Sequence, residues 1–216
     1  MTPFTTATGT GALLALDNVD TDQLIPARFM KRSRSEGYGQ QLLHDLRFDA
    51  QGAERAGFPL NGRAEPPMVL VAGANFGCGS SREAAVYALV DHGIRVVVAK
   101  GFADIFGNNA QRNGLLTLTL APEAHDRLAA RIAAAPGAGI TVDLAAQTLR
   151  CAGLAPVTFD IDPVAKRRLL LGLDEIAETL QDLAAIERHE AAARAARPWL
   201  TPRPVGTGTG TGPGAG

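Results

Sequence analysis

Val69-Leu70-Val71-Ala72-Gly73-Ala74-Asn75-Phe76-Gly77-Cys78-Gly79-Ser80-Ser81-Arg82-Glu83 decides how this chain is read. The first four residues are a continuous apolar run, the pattern of a strand buried on both faces. The last are followed by Ala84 to Val90, rich in Ala, Val and Leu, and then by Gly93. That is the pattern of a helix and its stop. Ile94-Arg95-Val96-Val97-Val98-Ala99 reads as the next strand. Strand, glycine-rich turn, helix and strand make a βαβ unit, so the stretch predicts an α/β fold with parallel strands. Ser80 is placed to cap the helix, and Glu83 three residues on to complete a capping box.

The turn carries more than a cap needs. A helix start presents unpaired N–H groups and the positive end of the dipole, where an anion is at home. Arg82 would sit there as a cation, against the dipole, at a cost of roughly 0.3–1 kcal/mol. Gly77 and Gly79 let something approach the backbone closely. An arginine fork binds carboxylates in bidentate fashion. A plain cap and an anion-binding site both fit, and the arginine and glycines favour the second. Three familiar loops are excluded. No Lys precedes the serines as in a P-loop, Arg82 stands where the dinucleotide fingerprint needs its third glycine, and no Gly-x-Ser-x-Gly elbow is present.

Working outward, Thr10–Leu16 reads as an earlier strand and Asn18 to Asp22 as the polar turn after it. Residues 31 to 66 predict loops and short helices. Phe102–Asn113 reads as a helix closed by Gly114, Leu115–Leu120 as an alternating strand, and Pro122 as the start of a helix to about Ala134. Ile140–Leu144, Thr148–Cys151 and Val157–Ile161 read as short antiparallel strands. Asp162 and Pro163 open a helix that Gly172 breaks. Asp174–Ala196 reads as one long amphipathic helix. The Thr-Gly repeats beyond Pro198 predict a disordered tail. The expected organisation is a main domain over 1–172, a helix over 173–197 and a tail over 198–216.

Bulk properties narrow the class. The chain has 216 residues, a formal net charge of −1 and ordinary apolar and charged fractions of 46% and 20%. That balance argues against nucleic acid or an anionic membrane as partner. No run approaches a transmembrane span, and Met1-Thr2-Pro3-Phe4-Thr5 lacks the basic-then-apolar pattern of a signal peptide. Two cysteines, Cys78 and Cys151, suggest a reducing cytoplasm and are too few for a cluster or zinc site within this chain. Asp20-Thr21-Asp22 is a weak metal signal, since such turns usually bond their own backbone. Asn108, Asn109, Arg112 and Asn113 read as a solvated helix face. Cys78 fits a small tolerated residue better than a reactive thiol. His44, His92, His125 and His189 show no metal-ligand spacing, so no metal is expected on this chain.

Three blocks in order carry a resemblance: Asn18 to Pro26 (Asn-Val-Asp-Thr-Asp-Gln-Leu-Ile-Pro), Gly73 to Glu83, and Gly101 to Phe106 (Gly-Phe-Ala-Asp-Ile-Phe). Together they resemble the small subunit of the 3-isopropylmalate dehydratase family, which corresponds to the swivelling domain of aconitase. The similarity runs from about Leu16 to Leu120. The Gly-x-Gly-Ser-Ser-Arg-Glu block is highly specific to that superfamily, the other two moderately so. The resemblance implies an aconitase-like swivelling domain of β/β/α type with the βαβ core and a C-terminal helical extension. It implies that Ser80 is the catalytic base, acting as an alkoxide, and that Ser81 and Arg82 bind substrate with Gly79, Asp20 and Thr21 around them. It also implies a [4Fe–4S] cluster carried by a large-subunit partner, whose open iron would act as Lewis acid on the substrate hydroxyl, with none bound by this chain alone.

The function so implied is one half of a cytoplasmic hydro-lyase of leucine biosynthesis. It would interconvert 2- and 3-isopropylmalate by dehydration and rehydration of a small dicarboxylate. One departure bears on this. The family block continues Arg-Glu-His-Ala, and here it reads Arg82-Glu83-Ala84-Ala85. Two alternatives follow from it: the same chemistry on a related diacid (homoaconitate, citraconate or methylmalate), or a non-catalytic, carboxylate-binding subunit.

Overall fold

A computed structural model describes residues 1–31 and 33–200. In chain order the elements are β1 (Thr6–Gly9), β2 (Gly11–Leu14), α1 (Thr21–Leu24), three 3-10 turns between Ala27 and Gln41, α2 (His44–Arg47) and β3 (Val69–Ala72). Then come α3 (Glu83–His92), β4 (Val96–Ala99), α4 (Asp104–Arg112), β5 (Leu116–Thr119), α5 (Pro122–Ala134), β6 (Ile140–Asp143), β7 (Thr148–Cys151) and β8 (Val157–Thr158). Three helices follow: α6 (Pro163–Leu171), α7 (Glu175–Leu180) and α8 (Leu183–Ala196), before a last 3-10 turn at Pro198–Leu200.

Two four-stranded sheets result. One is parallel, ordered β2-β3-β4-β5, and the other antiparallel, ordered β1-β6-β7-β8. Register in the parallel sheet pairs Val69 with Val96 and Val96 with Leu116. Every residue of β3 and β4 is buried, as their unbroken apolar runs require. Alternate residues supply two cores, because side chains along a strand point to opposite faces. Leu70, Ala72, Val97 and Ala99 join Ala85, Leu89 and Phe106 under α3 and α4. Val69, Val71, Val96 and Val98 join Leu128, Ile132, Ile140 and Val142 under α5 and the antiparallel sheet. The parallel sheet is therefore the middle layer.

Several expectations need correction. β1 is a separate edge strand, hydrogen-bonded to β6, where only Thr10–Leu16 was read as extended. The helix after β4 begins at Asp104, not Phe102, because Phe102 forms a bridge with Phe76. The third short antiparallel strand covers only Val157–Thr158. The expected single helix from Asp174 breaks at Gln181–Asp182: Gln181 N–H donates to Glu178 and Asp182 N–H to Thr179, tight turn bonds that end α7 before α8 begins. The Asp162 cap is as expected, with its carboxylate accepting from Val164 and Ala165 N–H and Pro163 in first position. The expected tail over 198–216 lies, beyond Leu200, outside the described residues.

The chain divides into two compact units, Met1–Glu175 and Ile176–Gly216. Both sheets and both cores belong to the first. In the second, no residue of α8 is buried among those described.

Candidate functional site

Because β2, β3 and β4 run parallel, the loops that follow them leave from one edge of the sheet, the usual place for a site in such folds. Hydrogen bonds lace the three loops together. Gly77 N–H donates to Val19 carbonyl at 2.7 Å, Phe76 N–H to Gly101 carbonyl at 2.9 Å, and Asn18 N–H to Ala74 carbonyl at 2.8 Å. Asp17 Oδ1 accepts from Ala74 N–H at 2.6 Å, and Asn75 Nδ2 donates to Asn18 Oδ1 at 2.8 Å. Beneath them Phe76, Phe102 and Phe106 cluster, with ring centroids 5.3 to 6.3 Å apart. Gly77 has φ +76°, and a Cβ there would fall 2.2 Å from Phe106 Cγ. Only glycine lets the loop lie this close to the ring.

Between these loops is a pocket of about 220 Å³. One wall is Thr21, Gly79, Ser80, Ser81 and Arg82; the other is Ala103, Ile105, Phe106 and Asn109. Ser80 and Ser81 are exposed, and among the described residues neither hydroxyl has a hydrogen-bond partner. They do not cap α3. The helix starts at Glu83, Arg82 occupies the cap position in an extended conformation with no side-chain cap bond, and Glu83 Oε1 accepts from Asn113 Nδ2 at 2.8 Å. The expected capping box at Ser80 and Glu83 is thus corrected. A box does exist at the sequence's other polar turn. Asp20 Oδ1 accepts from Gln23 N–H at 2.7 Å, and Gln23 Oε1 accepts from Asp20 N–H at 3.0 Å.

The charge on Arg82 is answered locally. Its guanidinium forms an ion pair with Asp22, and its side chain is only 18% exposed. The nitrogen that meets Asp22 is Nη1, itself buried, so an anion entering the pocket would compete with Asp22 for this guanidinium. Asp22, read from sequence only as half of a weak metal signal, is the ion-pair partner of Arg82 that reading missed. The spacing holds no hint of it, because the two residues are 60 positions apart and meet only through the loop lacing. The other predicted residues are accounted for. Thr21 is 2% exposed, and its hydroxyl donates to Ser80 carbonyl at 2.8 Å. Gly79, at φ +87°, faces Asp20 and Thr21. Of the Asn/Arg group, Asn109 lines the pocket, Asn113 bonds Glu83, and Arg112 pairs with Glu175 at 2.9 Å.

The histidines stay outside the pocket wall. His125, 3% exposed, donates from Nε2 to Ala72 carbonyl at 2.8 Å, a satisfied core histidine. His92 donates from Nδ1 to Gly39 carbonyl at 3.0 Å and buries Nε2 without a partner; burial, then the nearby Arg47 charge, pushes its pKa below the usual value. Ala84 packs partly buried against the helix-side core and is no part of the pocket. Among the described residues no three His, Cys, Asp or Glu side chains converge on a metal position. A [4Fe–4S] cluster takes cysteine thiolates, and this chain has two cysteines, Cys78 in the site loop and Cys151 on β7 in the other sheet. The donor set does not fit such a cluster.

The chain is similar to known proteins along most of its length. The family model described as the Aconitase C-terminal domain matches residues 1–123. One described as LeuD_N matches 126–163, and one described as the C-terminal domain of the 3-isopropylmalate dehydratase small subunit matches 175–203. A protein of Dinoroseobacter shibae named 3-isopropylmalate dehydratase small subunit is 44% identical, over 93% of this chain and 100% of its own length. One of the same name from Roseobacter denitrificans is 45% identical over 93% and 100%. A crystal structure of 3-isopropylmalate dehydratase from Methanocaldococcus jannaschii superposes with a TM-score of 0.61 at 26% identity, covering 86% of this chain and 99% of that one.

Proposed function

The chain belongs to the 3-isopropylmalate dehydratase small-subunit family, and on that premise we propose that it is the small subunit of a two-chain hydro-lyase that isomerises 2- and 3-isopropylmalate in leucine biosynthesis. The observation that carries this reading is the pocket wall itself. Two exposed serine hydroxyls without protein partners line one pocket with a largely covered arginine whose charge is met only by Asp22, itself 56% exposed.

Dehydration of a hydroxy diacid removes a proton from the carbon next to a carboxylate while hydroxide leaves the neighbouring carbon. Ser80 Oγ, as alkoxide, takes that proton, and the C–H electron pair becomes the new double bond. In rehydration hydroxide adds to the carbon that lost the proton, and Ser80 returns the proton to the neighbouring carbon. Arg82 receives the substrate carboxylate in exchange for part of its contact with Asp22, a charge-assisted pairing. Ser81 and the Gly79 backbone lie where negative charge builds up, and donors held in place there lower the barrier. Asp20 and Thr21 shape the wall behind them. A serine ionises at neutral pH only where its charge is stabilised, and Arg82 is the cation at hand.

The cluster of an aconitase-type enzyme we assign to the large subunit, because this chain's donors do not fit it. That makes the large subunit the required partner. No described helix is long and apolar enough to cross a membrane. Both cysteines are free thiols, as suits a reducing cytoplasm. The swivelling domain over 1–172 carries the site, with the helical segment over 173–197 appended. Ala84 lies off the pocket wall, so the missing family histidine removes no group that touches substrate. The reading is tested by mixing the chain with an anaerobically reconstituted large subunit and following the unsaturated diacid by ultraviolet absorbance. Isopropylmalate, homocitrate and citramalate are assayed in parallel. Turnover of isopropylmalate only when both chains are present is expected. Turnover confined to another diacid would move the pathway, and turnover of none would overturn the reading.

A further inference from the structure

We propose that Thr21 is a positioning residue, holding the Ser80 peptide in place for proton transfer, and not a substrate contact. The inference rests on Ser80 being the base. Its starting point is how little else holds that residue. Ser80 and Ser81 lie between Gly79, whose φ of +87° lets the chain turn freely, and the start of α3 at Glu83. Among the described residues, no backbone hydrogen bond from another element reaches Gly79, Ser80 or Ser81. The α3 cap supplies none either, because no side chain caps that helix.

The restraint comes instead from α1. Thr21 N–H donates to Cys78 carbonyl at 3.0 Å, and Thr21 Oγ1 donates to Ser80 carbonyl at 2.8 Å. One residue thus grips the carbonyls of Cys78 and Ser80, the residues on either side of Gly79. Thr21 can do so because it is itself fixed. It lies within the Asp20–Gln23 capping box, Asp20 forms a bridge with Cys78, and Thr21 is 2% exposed. Its hydroxyl has one proton to donate, and Ser80 carbonyl takes it. A hydroxyl so committed and buried is poorly disposed to bind a carboxylate. Losing it would free the Ser80 carbonyl to rotate about Gly79 and carry Oγ with it. Misplacement of a catalytic group by about 1 Å costs on the order of a hundredfold in rate.

The test uses the complex with the large subunit and compares Thr21→Val, which keeps the shape and loses the hydroxyl, with Thr21→Ser, which keeps the hydroxyl. Thr21→Val is expected to lower kcat by about tenfold to a hundredfold with KM little changed. Thr21→Ser should return kcat to within a few-fold of wild type. Three results would overturn the inference: an unaffected kcat in Thr21→Val, a rise in KM alone as for a direct contact, or equal losses in both variants as for a purely structural role. A wild-type complex that turned over no diacid would strike the activity itself, and this inference with it. An active wild type with an unaffected Thr21→Val strikes this inference alone.

Discussion

Gly77 shows how a single residue sets the site. Its position under Phe106 and its positive φ both exclude a side chain, so Gly77→Ala must push the loop off the ring or strain its own backbone. A loss of roughly 2–4 kcal/mol is expected, read as a lower midpoint in denaturant unfolding with an unchanged slope. At this scale the sequence was most legible where chemistry is dense. Two adjacent serines and an arginine after a glycine turn stood out in the sequence, and the three line one pocket. Legibility stopped at pairings that depend on the chain returning. The Asp22 contact with Arg82 and the Thr21 bond to Ser80 join residues some sixty positions apart. The capping box was mislaid for a related reason. Ser80-x-x-Glu83 and Asp20-x-x-Gln23 have the same spacing, and tertiary contacts chose between them by giving Glu83 to Asn113.

At the scale of elements, α3 links the site to a half-buried histidine at its far end. Its C-terminus is packed against the turn Tyr38–Gln41, where Gly39 approaches the backbone of Asp91, and Arg34 clamps the contact with a two-oxygen ion pair to Asp91. His92 lies in this contact with its pKa lowered, chiefly by burial and then by Arg47. A lowered pKa means the unfolded chain binds the proton more readily than the folded one. The contribution of His92 is therefore complete above the unfolded value of about 6.5 and is lost as pH falls from there toward the folded pKa. Thermal midpoints should drop as pH falls below about 6.5, and His92→Gln should flatten that slope. The depressed carboxyls Asp45 and Asp126 titrate below the ordinary carboxylate value and leave this window clear. An equal slope in the variant would assign the effect elsewhere. β3, β4 and α5 were plain in the sequence because their hydrophobic periods are unbroken. Residues 31 to 66 were not, since their 3-10 turns and the four-residue α2 take shape from tertiary anchors such as the Arg34 clamp.

For the whole molecule, both cores lie in Met1–Glu175. A chain ending at Glu175 is expected to fold on its own, with a thermal midpoint within a few degrees of the full chain. A truncated chain without a cooperative transition would contradict that assignment. The βαβ core was readable from the single stretch of residues 69–99, whereas β1 escaped because Thr6-Ala7-Thr8-Gly9 has no apolar alternation and is extended by its pairing with β6. We propose that this chain brings the base to a site that its partner completes. Ser80→Ala in the two-chain complex tests it most directly, with turnover of isopropylmalate, KM and assembly measured together. Removing a general base costs on the order of 10²–10⁴ in rate, so a loss of that size in kcat with assembly intact is the predicted result. Near-normal turnover in Ser80→Ala would contradict it.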